Sequence, residues 1–170
     1  MVLASHRPPM IPLENPPENP CFGCGPAHPR GLHLSFARAE REDGSEEILC
    51  EYAPQPDEIG WPGLFHIGLL FMVMMETSYW TALTIGGKVM TVFGPETFEM
   101  LRLPRVGLPF RCRARVASAL PTGVRIVCKA EGANGKSQAT LETNWRPASR
   151  VAVQRAGISL PAYLLEDMEP

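Results

Sequence analysis

This 170-residue sequence has no charge bias: sixteen Lys and Arg stand against eighteen Asp and Glu, for a net charge of −2. That balance gives no electrostatic reason to expect nucleic acid or an anionic membrane as partner. A small molecule or another protein is expected instead. No uninterrupted apolar run approaches the roughly 20 residues that a bilayer needs. The first twenty residues, MVLASHRPPMIPLENPPENP, lack a basic stretch followed by an apolar one, so no secretory signal is expected and the protein is expected to be cytoplasmic. Cysteine is scarce and odd in number (Cys21, Cys24, Cys50, Cys112, Cys128), so free thiols are expected rather than a disulfide framework. The sequence carries no internal repeat.

Hydrophobic content of 45% and charge of 20% are ordinary for one globular domain. A chain of this length buries about two thirds of its unfolded surface. Six prolines among the first twenty residues predict an extended arm over 1–18 without regular structure. One domain is expected over 19–147 and a tail over 148–170, with a short helix near Leu160–Met168.

The most apolar stretch is Trp61–Leu83, WPGLFHIGLLFMVMMETSYWTAL. Between Glu58 and Lys88 its one formal charge is Glu76. A helix is expected from Ile67 to Ile85, stopped by Gly86-Gly87. It is apolar nearly all round and so predicted to be buried on most sides. A carboxylate in such a helix must find a partner, stay protonated or take part in chemistry.

Elsewhere the pattern is strand and turn. Gly31–Arg38 and Glu47–Tyr52 flank a hairpin signal at Asp43-Gly44. Lys88–Pro104 reads as a long strand broken at Gly94-Pro95, and strands are expected at Phe110–Ala119, Gly123–Gly132 and Ser137–Trp145. Two strands, one buried helix and about four antiparallel strands make an α+β layer solution, with the sheet wrapped on the helix.

Cys21, Cys24, His28 and His33 invite a zinc reading, since CxxC followed by histidines is a known ligand pattern. The histidines follow the CxxC too closely for a standard finger, and there is no second CxxC. The sequence favours a tight Gly/Pro turn with small buried thiols, and no metal or other cofactor is expected.

CFGCGPAHPRGLHLSF at 21–36, GWPGLFHIG at 60–68 and PRVGLPFRCRARV at 104–116 together resemble the PaaI-type hotdog acyl-CoA thioesterases. The resemblance covers roughly Asn19 to Arg146. It implies a hotdog fold, a curved antiparallel sheet around one long central helix. It further implies a homodimer or homotetramer with sites at the subunit interface, and hydrolysis of an acyl-CoA thioester. In that family a His-Gly-Gly motif opens the helix, and a backbone N–H just after the His polarises the thioester carbonyl. Here the motif reads His66-Ile67-Gly68, so the Ile67 N–H is the implied oxyanion donor, with His66 orienting the site. The family's acid usually lies nine residues after the His. Here that position is Met75, and Glu76 follows it; the Gln often found seven residues before the His is Ile59. Two alternatives stay open: a helix that starts one residue later and restores Glu76 to the site, or loss of the usual acid.

Glu76 is therefore the candidate base or nucleophile. Gly68, Ser78 and Tyr79 are candidate substrate contacts, and Arg105 is a candidate for the phosphates of CoA. A non-catalytic hotdog that binds an acyl ligand or serves in assembly is the rival reading. A biosynthetic thioesterase or dehydratase acting on carrier-protein substrates is the third.

Overall fold

A computed structural model of the protein describes residues 10–86, 89–93, 96–155, 157, 165–166 and 168. Its centre is one helix, α1 (Ile67–Gly86). Around it run β1 (Ile11–Pro12), β2 (Phe36–Glu40), β3 (Glu46–Tyr52), β4 (Ile59–Trp61), β5 (Leu64–Phe65), β6 (Met90–Val92), β7 (Thr97–Met100), β8 (Phe110–Leu120), β9 (Gly123–Gly132) and β10 (Ser137–Pro147), followed by α2 (Arg150–Arg155). Eight strands form one antiparallel sheet in the order β1-β2-β3-β8-β9-β10-β6, with β7 also on the free edge of β10. The small β4–β5 ribbon delivers the chain into α1. The α+β architecture implied by the resemblance is what the chain forms.

Period-two alternation decides which side chains meet the helix. Ile48 and Cys50 of β3, Phe110, Cys112 and Ala114 of β8, Ile126, Cys128 and Ala130 of β9, and Ala139, Leu141, Thr143 and Trp145 of β10 are all buried. Irregularities at Val116/Ser118 and Ser137/Ala139 fall in the long strands, where a bulge bends and twists a strand further. On the helix, Leu70, Val73, Met74, Thr77, Ser78, Thr81 and Ala82 have no exposed surface. The three buried hydroxyls are satisfied one turn back: Thr77 donates to the Val73 carbonyl at 2.7 Å, Ser78 to Met74 at 2.9 Å and Thr81 to Thr77 at 2.8 Å. The five cysteines are free thiols, and burial pushes the Cys50 thiol up to about 12, so it packs as a small neutral group.

Four details depart from the sequence expectations. The proline arm does contain regular structure, because Ile11 and Pro12 pair with Arg38 and Ala37 as an edge strand. The strand expected from Gly31 begins only at Phe36: His33 sits at φ 49°, and the Leu32 and Leu34 amides donate instead to the carbonyls of Phe22 and Gly23 at 2.9 and 3.0 Å. The chain after the helix forms two short strands, both on β10, rather than one long broken one; Gly94 and Pro95 lie outside the described residues. The tail helix is Arg150–Arg155; most of Leu160–Met168 lies outside the described residues.

Candidate active site

The outer side of α1 is where chemistry is available. Gly68, Met72, Met75, Tyr79 and Leu83 recur at helical spacing and are exposed or half-buried, while the opposite face is sealed by the sheet. Glu76 lies at the border of this stripe. It lines a cavity of about 510 Å³ together with Met75, Tyr79, Trp80, Leu83 and Trp145 from the helix and sheet, and Glu14, Asn15, Pro16, Asn19, Cys21 and Cys24 from the N-terminal segment. Met75 and Glu76 both reach this cavity, so no shift of the helix start is needed to aim Glu76 at it. The helix begins at Ile67, directly after His66.

The Cys21–Gly25 loop covers Glu76. The Gly25 amide donates to the Cys21 carbonyl at 2.8 Å, closing the turn. The backbone of Gly23 then lies so close to Glu76 that a Cβ there would sit 2.6 Å from its Cγ. The Cys21 thiol meets Glu76 Oε1 at 3.4 Å, and Oε2 is buried without a hydrogen-bond partner. Burial is the main reason the Glu76 carboxyl is pushed up to about 7; the Cys24 thiol opposes the rise and the charge of Cys21 adds to it. Cys21 is drawn down to about 5, chiefly by the Cys24 S–H and by the Cys24 and Gly23 amides, while Cys24 is pushed up by donating that proton and by burial. Cys21 and Glu76 thus compete for one proton, with burial disfavouring charge on the carboxylate.

His66, Ile67, Gly68 and Arg105 gather instead at the N-terminal end of the helix. His66 caps it: its carbonyl accepts from the Leu69 and Leu70 amides at 3.0 Å each, and its Nδ1 accepts from the Gly68 amide at 3.0 Å. A Cβ on Gly68 would lie 3.2 Å from that ring, so the glycine makes room for the cap. The Ile67 amide is among the first four of the helix, which have no acceptor inside it. Arg105 is brought to this end, since its backbone bridges Leu64 two residues before His66. With Arg102, Leu103 and Lys136 it lines a separate cleft of about 320 Å³. Ser78 is not brought to either place; it is sealed against the sheet. Along α1, Ile67 and Glu76 are separated by about 14 Å of rise. Within one chain they cannot both touch one carbonyl group.

His28 and His33 do not join the cysteines: the His28 ring packs edge-on against Phe22 and its Nδ1 accepts from the Arg30 amide at 3.2 Å. Sequence reasoning missed that Cys21 and Cys24 are the neighbours of Glu76, 55 and 52 positions away along the chain. The usable signal was a glycine-flanked CxxC in a chain whose helix holds one unexplained charge.

No protein-family model matches this chain, and no curated protein matches it. Among solved structures it is similar to RHA08564, a thioesterase superfamily protein, with TM-score 0.63 and 15% identity over 76% of this chain and 60% of that one. It is similar to the PaaI protein of the phenylacetic acid degradation operon of E. coli, with TM-score 0.60 and 13% identity over 69% and 81%. A hypothetical thioesterase from Streptococcus pneumoniae TIGR4, solved with coenzyme A, gives TM-score 0.56 and 11% identity over 65% and 84%. At these identities the likeness is one of architecture, and it agrees with the antiparallel sheet packed on α1: the chain has the hotdog fold of thioesterase-superfamily proteins.

Proposed function

We propose that the protein hydrolyses acyl-CoA thioesters as a homodimer or homotetramer, with Glu76 as general base or nucleophile and the Ile67 N–H as oxyanion donor. The observation that carries this reading is Glu76 itself: a carboxyl lifted to about 7, with Oε2 unpaired, in an apolar-walled cavity. A base poised near neutral pH removes a proton from water efficiently. Water so activated adds to the thioester carbonyl, the oxyanion is held by the amide, and the thiolate of CoA leaves. The cavity supplies the acyl site, with Tyr79 and Met75 as walls. The separation of Glu76 from Ile67 supports a second copy of the chain, whose antiparallel α1 would carry its Ile67 and Gly68 to the first chain's Glu76. The exposed Ile59, Trp61 and Ile67 beside the helix start are apolar surface suited to such an interface. His66 orients the helix start by capping it, and Arg105, whose backbone bridges Leu64 at the same end, would pair with a CoA phosphate.

The rival reading, an acyl-ligand-binding protein without turnover, is favoured by one observation: Oε1 of Glu76 is already engaged by Cys21. An acyl-CoA panel assayed with wild type and Glu76→Gln separates the two. Hydrolysis is expected in the wild type, with kcat/KM at least about 100-fold lower in the variant and an acid limb near pH 7 in the wild type alone. Equal rates for both proteins would remove Glu76 from the mechanism. Tight binding with no turnover by either would establish the rival.

A further inference from the structure

We infer that Cys21, Cys24 and Glu76 form a binding site for Zn²⁺, with the fourth coordination position open to the cavity. The cluster is the one group of three possible ligands found among the described residues; the two sulfurs and a carboxylate oxygen all lie within 4.8 Å of one another. In a tetrahedral site with Zn–S near 2.3 Å and Zn–O near 2.0 Å, a sulfur and an oxygen stand about 3.5 Å apart. The Cys21 Sγ to Glu76 Oε1 distance is 3.4 Å, so that edge of the tetrahedron is already formed.

The surroundings hold the ligands in place. Asn19 Nδ2 donates to the Cys24 sulfur at 3.7 Å. Asn19 is in turn fixed by Asn15, whose own amide donates to the Cys24 carbonyl at 2.6 Å. Outer contacts of this kind hold ligands in register and tune them. The buried, unpaired Oε2 of Glu76 leaves its carboxylate short of a partner that a cation would supply. Two sulfurs and one carboxylate select a borderline-soft ion over Mg²⁺ or Ca²⁺. The histidines of the sequence pattern are replaced by a glutamate from the helix. The inference does not rest on the hydrolase reading. A bound ion would occupy Glu76 as ligand, so the metal-loaded and base-active states exclude one another.

The test is a Co²⁺ titration of the reduced, chelator-treated full chain, followed by absorbance. One equivalent is expected to give a thiolate-to-cobalt charge-transfer band and the visible bands of a tetrahedral site, both erased by added Zn²⁺. Cys24→Ser should halve the charge-transfer intensity, and Cys21→Ser/Cys24→Ser should remove it, with circular dichroism verifying the fold of each. Glu76→Gln should weaken Co²⁺ binding at least about tenfold while keeping the two-thiolate band. Absence of any band in the wild type overturns the inference, as does a band that survives the double variant. Unchanged affinity in Glu76→Gln overturns the part given to the carboxylate. None of these readouts depends on turnover, so failure here and failure of the hydrolase reading are distinguishable.

Discussion

Gly25→Ala is expected to lower the stability of the protein by about 3 kcal/mol, near the upper end of what overpacking costs. A Cβ at this position would lie 2.3 Å from the Asn19 carbonyl oxygen, 2.5 Å from the Cys21 nitrogen and 2.6 Å from the Cys21 oxygen. All three are backbone atoms of the turn that carries the two thiols, and a backbone cannot swing aside as a side chain can. Gly23→Ala offers the contrast. The three atoms nearest its new methyl group all belong to the Glu76 side chain, Cγ coming closest at 2.6 Å, so the carboxyl can be displaced at lower cost. Removing Glu76 should therefore rescue Gly23→Ala and leave Gly25→Ala as damaged as before. Urea midpoints at constant m value for the three single and two double variants read this directly. A Gly25→Ala protein as stable as the wild type, or equal rescue of both by Glu76→Ala, would show that the loop is not seated on the helix.

The loop also marks the limit of what could be read from residues alone. The helix was legible because its apolar run is long and ends in glycines; Ile67–Ile85 differs from Ile67–Gly86 by a single terminal residue. The hairpin strands were legible because alternation and turn dipeptides are local signals. Leu32 and Leu34 misled because they alternate as a strand does, yet their amides serve the Cys21–Gly25 loop and His33 turns the backbone into the left-handed region. The isolated charge was legible as a question, since Glu76 is conspicuous in an apolar helix. Its answer was not, because a contact between positions 21 and 76 leaves no periodic trace. Ser78 shows the same limit in reverse: a polar residue beside Glu76 in sequence is turned by about 200° two positions on, and packs against the sheet.

The buried carboxyl should finally make stability depend on pH in a direction opposite to that of a salt-bridged acid. Glu76 is raised from 4.5 to about 7, so between these values the folded protein holds a proton that the unfolded chain has lost. The favourable contribution is fully present below about pH 4.5 and is lost as pH rises through about 7. The span corresponds to about 3 kcal/mol. Cys21 acts the other way: its lowered value favours the fold as pH rises from about 5 toward the ordinary thiol range. The wild-type curve therefore mixes two opposed slopes. Placing the comparison in a Cys21→Ser background removes the thiolate, and burial, the larger cause of the Glu76 shift, remains. With chelator present, the stability of Cys21→Ser minus that of Cys21→Ser/Glu76→Gln should fall from pH 5 to about pH 7 and level off toward pH 8. A flat difference would mean that the carboxyl is hydrated in the folded state. A difference that rises with pH would mean that a cationic or donor group holds it as a carboxylate, and the cavity around Glu76 would then be polar rather than apolar.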